Sequence, residues 1–107
     1  MPPGNRLIHS EPFNIDGEIR TLTPTFIPPS QDVQGNSNTF SATYALLSGG
    51  PVYFRAIEGE SPSDSDVPIE VGDELDVIGS EDLIRVKFYC PTTSIGVMSY
   101  YGSGDQV

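Results

Sequence analysis

The sequence predicts an all-β fold, a small antiparallel β-sandwich or jelly-roll-like barrel preceded by an extended Pro-rich N-terminal arm. Three observations carry this. Apolar and polar residues alternate with a period of two in several short runs from Thr39 onward. Turn residues separate those runs about every ten positions, the spacing of a sandwich or barrel. The ten Pro and eleven Gly are spread between apolar runs and not gathered in one tract. No window holds a sustained 3.6-residue repeat, so little or no helix is expected. The 107 residues suit one domain, which at this size buries roughly 60–70% of the surface its unfolded chain exposes.

Residues 1–37 read as the arm. Pro2, Pro3, Pro12, Pro24, Pro28 and Pro29 remove six backbone donors and exclude a long helix. Phe13 to Arg20 reads as a short hairpin, because Asp16-Gly17 tolerates the positive φ of a two-residue turn. Leu22, Phe26 and Ile27 form an extended apolar segment stopped by Pro28-Pro29, and Ser30 to Asn38 is a polar loop.

Residues 38–107 read as the sandwich. Phe40, Ala42, Tyr44 and Leu46 alternate with Ser41, Thr43 and Ala45, which gives a strand with one buried face. Ser48-Gly49-Gly50-Pro51 turns the chain into a second alternating set, Val52, Phe54 and Ala56. Gly59 to Pro68 is an acidic loop. Val67 to Val71 is a short strand ended by Gly72-Asp73, and Leu75 and Val77 begin another. Leu83 to Cys90 is the strongest strand pattern, with Ile84, Val86, Phe88 and Cys90 facing the core and one short turn allowed at Asp82-Leu83. In the last strand Ile95, Val97, Ser99 and Tyr101 form one face, with Met98 and Tyr100 opposite.

The charge balance narrows function. Fifteen acids against five bases give a net charge of −10. Nucleic acid is excluded as a partner, because Arg6, Arg20, Arg55, Arg85 and Lys87 are scattered and make no stripe for phosphates. An anionic membrane repels the chain for the same reason. Nothing in Met1–Ser10 has the apolar run of a secretory leader. No segment approaches the roughly 20 apolar residues of a membrane span. Cys90 is the only cysteine, so no internal disulfide forms, and it reads as a small buried hydrophobe.

Catalytic groups are few, and the chain is read as non-enzymatic with no cofactor. His9 is the only histidine. Ser10 and Glu11 follow it, but adjacent side chains on an extended chain point to opposite faces, so His9 reads as a surface residue. Gly49-Gly50 lacks the lysine and helix of a phosphate-binding loop. Between Glu58 and Asp82 lie ten acids and no base. This reads first as a solvated acidic rim. Asp64 and Asp66, with Asp73 and Asp76, are weak calcium candidates, since calcium takes six to eight oxygens. The same abundance makes a carboxylate pair for glycoside hydrolysis unspecific, and the chain has no Trp to stack on a sugar. Tyr53, Tyr89, Tyr100 and Tyr101 fall on outward or terminal strand positions, where tyrosine serves interfaces or covers a core edge.

From Thr39 to Gly102 the order of pieces resembles small β-sandwich structural proteins of tailed bacteriophages. Ser48-Gly49-Gly50-Pro51-Val52-Tyr53-Phe54 is similar to the turn and following strand. Asp66-Val67-Pro68-Ile69-Glu70-Val71-Gly72-Asp73 resembles a short strand ended by Gly, and Glu81-Asp82-Leu83-Ile84-Arg85-Val86 the strand after it. Thr93 to Gly102 resembles the terminal strand. The resemblance implies a virion component assembled in the host cytoplasm, such as a capsid decoration (cement) protein, a head fibre base or a tail accessory protein. It implies an oligomer whose partners are the major capsid protein or other virion proteins, and it brings no catalytic residues. The arm would then clamp a neighbour through Leu7, Ile8, Phe13, Ile15, Phe26 and Ile27, with Tyr100 and Tyr101 adding to the interface. The alternative is a ligand- or receptor-binding sandwich, stabilised by calcium in the 58–76 loops.

Overall fold

The computed structural model describes residues 6–27 and 39–102, and these form two antiparallel sheets packed face to face. The strands are β1 (Arg6–Pro12), β2 (Ile15–Asp16), β3 (Ile19–Thr21), β4 (Thr39–Gly49), β5 (Val52–Arg55), β6 (Pro68–Ile69), β7 (Glu74–Ile78), β8 (Lys87–Tyr89) and β9 (Thr93–Gly102). A 3₁₀ turn covers Pro24–Phe26 and a short helix, α1, covers Ser80–Arg85. The larger sheet runs β1-β9-β4-β7, with β2 also pairing β9; the smaller runs β3-β8-β5-β6. The fold is a small all-β sandwich.

The core explains the pairing. Phe13, Ile15, Leu22, Tyr44, Leu46, Val52, Leu83, Val86, Phe88, Met98 and Tyr100 are all buried. Three rings meet at its centre. Phe13 packs edge-on against Phe88 at 5.4 Å and against Tyr44 at 5.7 Å. Such edge-to-face pairs add about 0.5–1.5 kcal/mol beyond the area they bury.

Residues 6–27 therefore do not form an arm. β1 pairs with β9 from Arg6↔Gly102 to Pro12↔Val97, and Phe13, Ile15, Leu22 and Ile27 belong to the core. Proline does not prevent this: Pro12 ends β1, and Pro24 opens the 3₁₀ turn, where a missing amide costs little. The hairpin expected over Phe13–Arg20 is instead a corner between sheets. β2 pairs with β9 and β3 with β8, and Gly17 at φ +69° makes the bend. The expected stop at Pro28-Pro29 and the loop Ser30–Asn38 lie outside the described residues.

A bulge changes the face at the start of β4. The register of β4 shifts between Thr39 and Ser41, which buries Thr39 and leaves Phe40 54% exposed. In β9 the buried face is Ser94, Gly96, Met98 and Tyr100, not the Ile95 face. Gly96 must face inward because the Tyr44 ring lies over it: a Cβ there would stand 2.7 Å from Tyr44 Cε1.

The strand expected over Leu83–Cys90 is shared between α1 and β8. Glu81 and Asp82 in the first turn and Arg85 in the last complement the helix dipole. Leu83 plugs the core while Ile84, expected inside, is 52% exposed. Val86, Phe88 and Cys90 do face inward. The strand expected over Val67–Val71 shrinks to Pro68–Ile69; Ile69 is buried, and Val67 and Val71 are exposed.

Candidate interaction surface

The two longest strands, β4 and β9, contain no charged residue. Their inward halves build the core. Their outward halves, joined by β1, make one face of the larger sheet. Cross-strand pairing sets its rows. Leu7, Tyr101, Ser41 and Ile78 form one row, and Ser10, Ser99, Thr43 and Asp76 the next. Pro12, Val97, Ala45 and Glu74 form the third. Beyond it, Leu47 and Ile95 flank a shallow, mostly apolar groove with Pro12, Gly96 and Val97, lined also by Ser10, Glu11 and Asn14.

The middle row is small and hydroxylic. Ser10 and Ser99 hydroxyls bond across β1 and β9 at 3.0 Å, and Thr43 Oγ1 donates to Asp76 Oδ1 at 2.7 Å. The only described carboxylates in these rows, Glu74 and Asp76, sit on the edge strand β7. A half-apolar patch whose described carboxylates sit on one edge strand matches the anatomy of a docking interface.

The outer face of the smaller sheet differs. Ile19, Tyr89, Tyr53 and Pro68 form one row, and Thr21, Lys87 and Arg55 the next. Arg55 is engaged: Nη1 lies 2.7 Å from Glu60 Oε1 and Nη2 lies 2.6 Å from Asp66 Oδ1. The guanidinium beside Asp66, helped by the Ser63 amide, holds the Asp66 carboxyl below the usual carboxylate range. One base thus organises the 60–66 loop.

The calcium candidates are not brought together. Asp66 serves Arg55, Asp73 Oδ2 caps the Glu70 amide at 3.0 Å, and Asp76 accepts from Thr43. Among the described residues no three His, Cys, Asp or Glu converge as a metal site.

The expected interface residues separate into three groups. Phe13, Ile15, Ile27 and Tyr100 are buried within the chain and offer nothing to a partner. Ile8 and Phe26 pack on the core with partial exposure. Leu7 is 53% exposed and shares a row of the uncharged face with half-buried Tyr101.

His9 is tied into the sandwich edge. Its ring stacks on Phe26 at 4.0 Å, and Nε2 lies 3.8 Å from Glu11 Oε1. Ser10 points to the opposite face, as an extended chain requires. Glu11 Oε2 accepts from Thr23 Oγ1 at 2.6 Å and from the Tyr100 hydroxyl at 2.8 Å, while the Thr23 amide donates to the Tyr100 oxygen at 3.1 Å. Burial, reinforced by Glu11, pushes the Tyr100 phenol far above its ordinary value. These bonds pin the 22–27 segment to the larger sheet.

Comparison with protein-family models, curated proteins and solved structures finds no match to this chain. No described helix is long and apolar enough to cross a membrane.

The expectations fell on the apolar residues and missed the hydroxyl row. Ser10, Thr43 and Ser99 become a surface only through pairing between strands far apart in the chain. A signal was present nonetheless: Thr39–Gly49 and Thr93–Gly102 contain none of the fifteen acids or five bases.

Proposed function

We propose that this chain is a non-enzymatic structural protein of a virus particle, a capsid decoration protein of a tailed bacteriophage. It would attach through the uncharged part of the larger sheet's outer face, on β9 and β4 with β1 beside them. That face is the observation that carries the reading. In a chain of net charge −10, an uncharged strip on the two longest strands has no solubility role, since charge is what keeps surfaces solvated. The resemblance of Thr39–Gly102 to phage sandwich proteins supports the virion setting.

The mechanism is adhesive. Burial of Leu7, Pro12, Leu47, Ile95 and Val97 removes apolar area from water at about 25 cal/mol per Å². The hydroxyls of Ser10, Thr43 and Ser99 exchange water for partner groups at little net cost. The acidic 58–76 segment stays at the rim and steers the chain toward basic surfaces. Of the six apolar residues expected to clamp a neighbour only Leu7 serves this mechanism, because Phe13, Ile15 and Ile27 are buried in the core and Ile8 and Phe26 pack against it.

Co-sedimentation with expanded phage capsids tests the reading. Wild type should pellet with the particles, and Ser99→Lys, which sets a charge in the middle row, should stay in the supernatant. Absent binding by wild type, or equal binding by the variant, would refute it. A second reading, ligand or receptor binding, has one observation in its favour: Tyr53 and Tyr89 lie side by side on the smaller sheet. In that case Tyr53→Ala and Tyr89→Ala would abolish binding and Ser99→Lys would not.

A further inference from the structure

We propose that the first occupant of the uncharged face is a second copy of this chain, packed sheet to sheet across a two-fold axis near the Ser10–Ser99–Thr43 row. This rests on the reading of that face as the docking surface and names its partner.

Three observations point to a second copy. The first is charge. Two chains of net charge −10 repel wherever their acids meet, and the described acids concentrate between Glu58 and Asp82. The β1-β9-β4 part of the larger sheet is where two copies can approach without setting carboxylates against each other. Glu74 and Asp76 remain at the margin, on β7.

The second is the pattern of the face. A hydroxyl row lies between two apolar ends, Leu7 with Tyr101 and Ile78 on one side, Val97 with Leu47 and Ile95 on the other. A two-fold axis running along β9 and crossing the middle row turns each apolar end onto the same end of its partner and sets the two β7 edges on opposite sides. Such a patch is self-complementary, which is what an isologous dimer requires. The small side chains of the middle row also let two sheets approach to the roughly 10 Å of packed β-layers.

The third is area. Strands about 4.8 Å apart and rising about 3.3 Å per residue give this face roughly 500 Å² on each copy. A face-to-face pair then buries about 1,000 Å², the lower bound for a specific interface. The dimer should be weak and exchange with monomer. It should tighten with salt, because screening removes repulsion between like-charged copies.

Sedimentation velocity across protein concentrations from about 1 to 500 μM tests this, at low and at high NaCl. Wild type should shift from monomer to dimer, at lower concentration in high salt. Ser99→Lys and Ser99→Glu should each stay monomeric over the range, with circular dichroism and melting like wild type. An equimolar mixture of the two should recover the dimer, since opposite charges then face each other. Recovery on mixing cannot come from misfolding.

Wild type that stays monomeric throughout, or a dimer that survives in both single variants, overturns the proposal. If the variants lose their fold, Ala45→Lys on the neighbouring row replaces them, with the same expected loss and the same overturning result. The capsid assay is read separately. A monomeric wild type whose capsid binding is lost in Ser99→Lys assigns the face to the capsid and ends only the dimer. A dimeric wild type that ignores capsids ends only the virion reading.

Discussion

Tyr44 and Tyr100 are both fully buried, both inward on the larger sheet, and paired with opposite fates. Tyr100 ends in a polar cluster, where it donates to Glu11 and receives the Thr23 amide. The hydroxyl of Tyr44 is buried without a hydrogen bond. Ser94, its polar neighbour, directs its own hydroxyl to the Ile15 carbonyl at 3.4 Å, so Ser94 only partly offsets the burial that raises the Tyr44 phenol. One ring is held by its tip and the other by its faces. The hydroxyl of Tyr100 therefore stabilises the fold, and that of Tyr44 does not.

The largest effect should come from attacking the faces of Tyr44. In Gly96→Ala the new Cβ meets Tyr44 Cε1 at 2.7 Å and the Ala45 carbonyl at 2.8 Å. The ring can tilt, but the β4 backbone cannot yield without breaking its pairing with β9. We expect a loss of about 3 kcal/mol, read as a lower urea midpoint. A midpoint equal to wild type would mean that ring and strand have room the contacts deny.

Removing the tip of Tyr100 ranks next. Tyr100→Phe leaves the Thr23 amide without its acceptor and takes one donor from Glu11, and should cost about 2 kcal/mol. Amide hydrogen exchange at Thr23 should accelerate in the variant, because this bond holds the 22–27 segment.

Alkaline titration separates the two rings further. Free tyrosine ionises near pH 10, and both buried phenols are raised above that value in the folded chain. The neutral phenols thus contribute stability that is intact below about pH 10 and lost as pH climbs above it. The stability gap between wild type and Tyr100→Phe should narrow between pH 9 and 11 in urea titrations. A constant gap would place the Tyr100 hydroxyl in water.

The smallest effect belongs to Tyr44→Phe. Deleting a buried hydroxyl that lacks a partner should change stability by no more than about 0.5 kcal/mol, in either direction. A loss as large as that of Tyr100→Phe would erase the contrast between the two sites.

The sheet architecture was legible wherever side chains alternate without interruption. Ala42, Tyr44 and Leu46, then Val52 and Phe54, point inward as their period requires. What the period could not show were events that break it. The bulge at Thr39/Ser41 turned Phe40 outward. Ser80–Arg85 coiled because Gly79 permits φ +97° and two acids follow it, a local cue outweighed by the apolar run beyond. Phe13 and Ile15 join the core although the proline density around them suggests an arm, because proline removes amide donors without keeping neighbouring side chains from packing. Their partners on β9 lie some eighty residues away, and no local pattern encodes them. The uncharged face was hidden for the same reason: β1, β9 and β4 each give one Ser or Thr to its middle row, and only register aligns them.

The strand at Thr93–Gly102 is the last of the nine described strands, yet it forms the seam that β1, β2 and β4 share. During synthesis the first strand must wait, unpaired, until nearly the whole domain has left the ribosome. Long waits of this kind slow folding and leave Leu7 and Ile8 open to wrong partners. Chains that stop short of Thr93 would accumulate as sticky fragments, not as smaller versions of the fold.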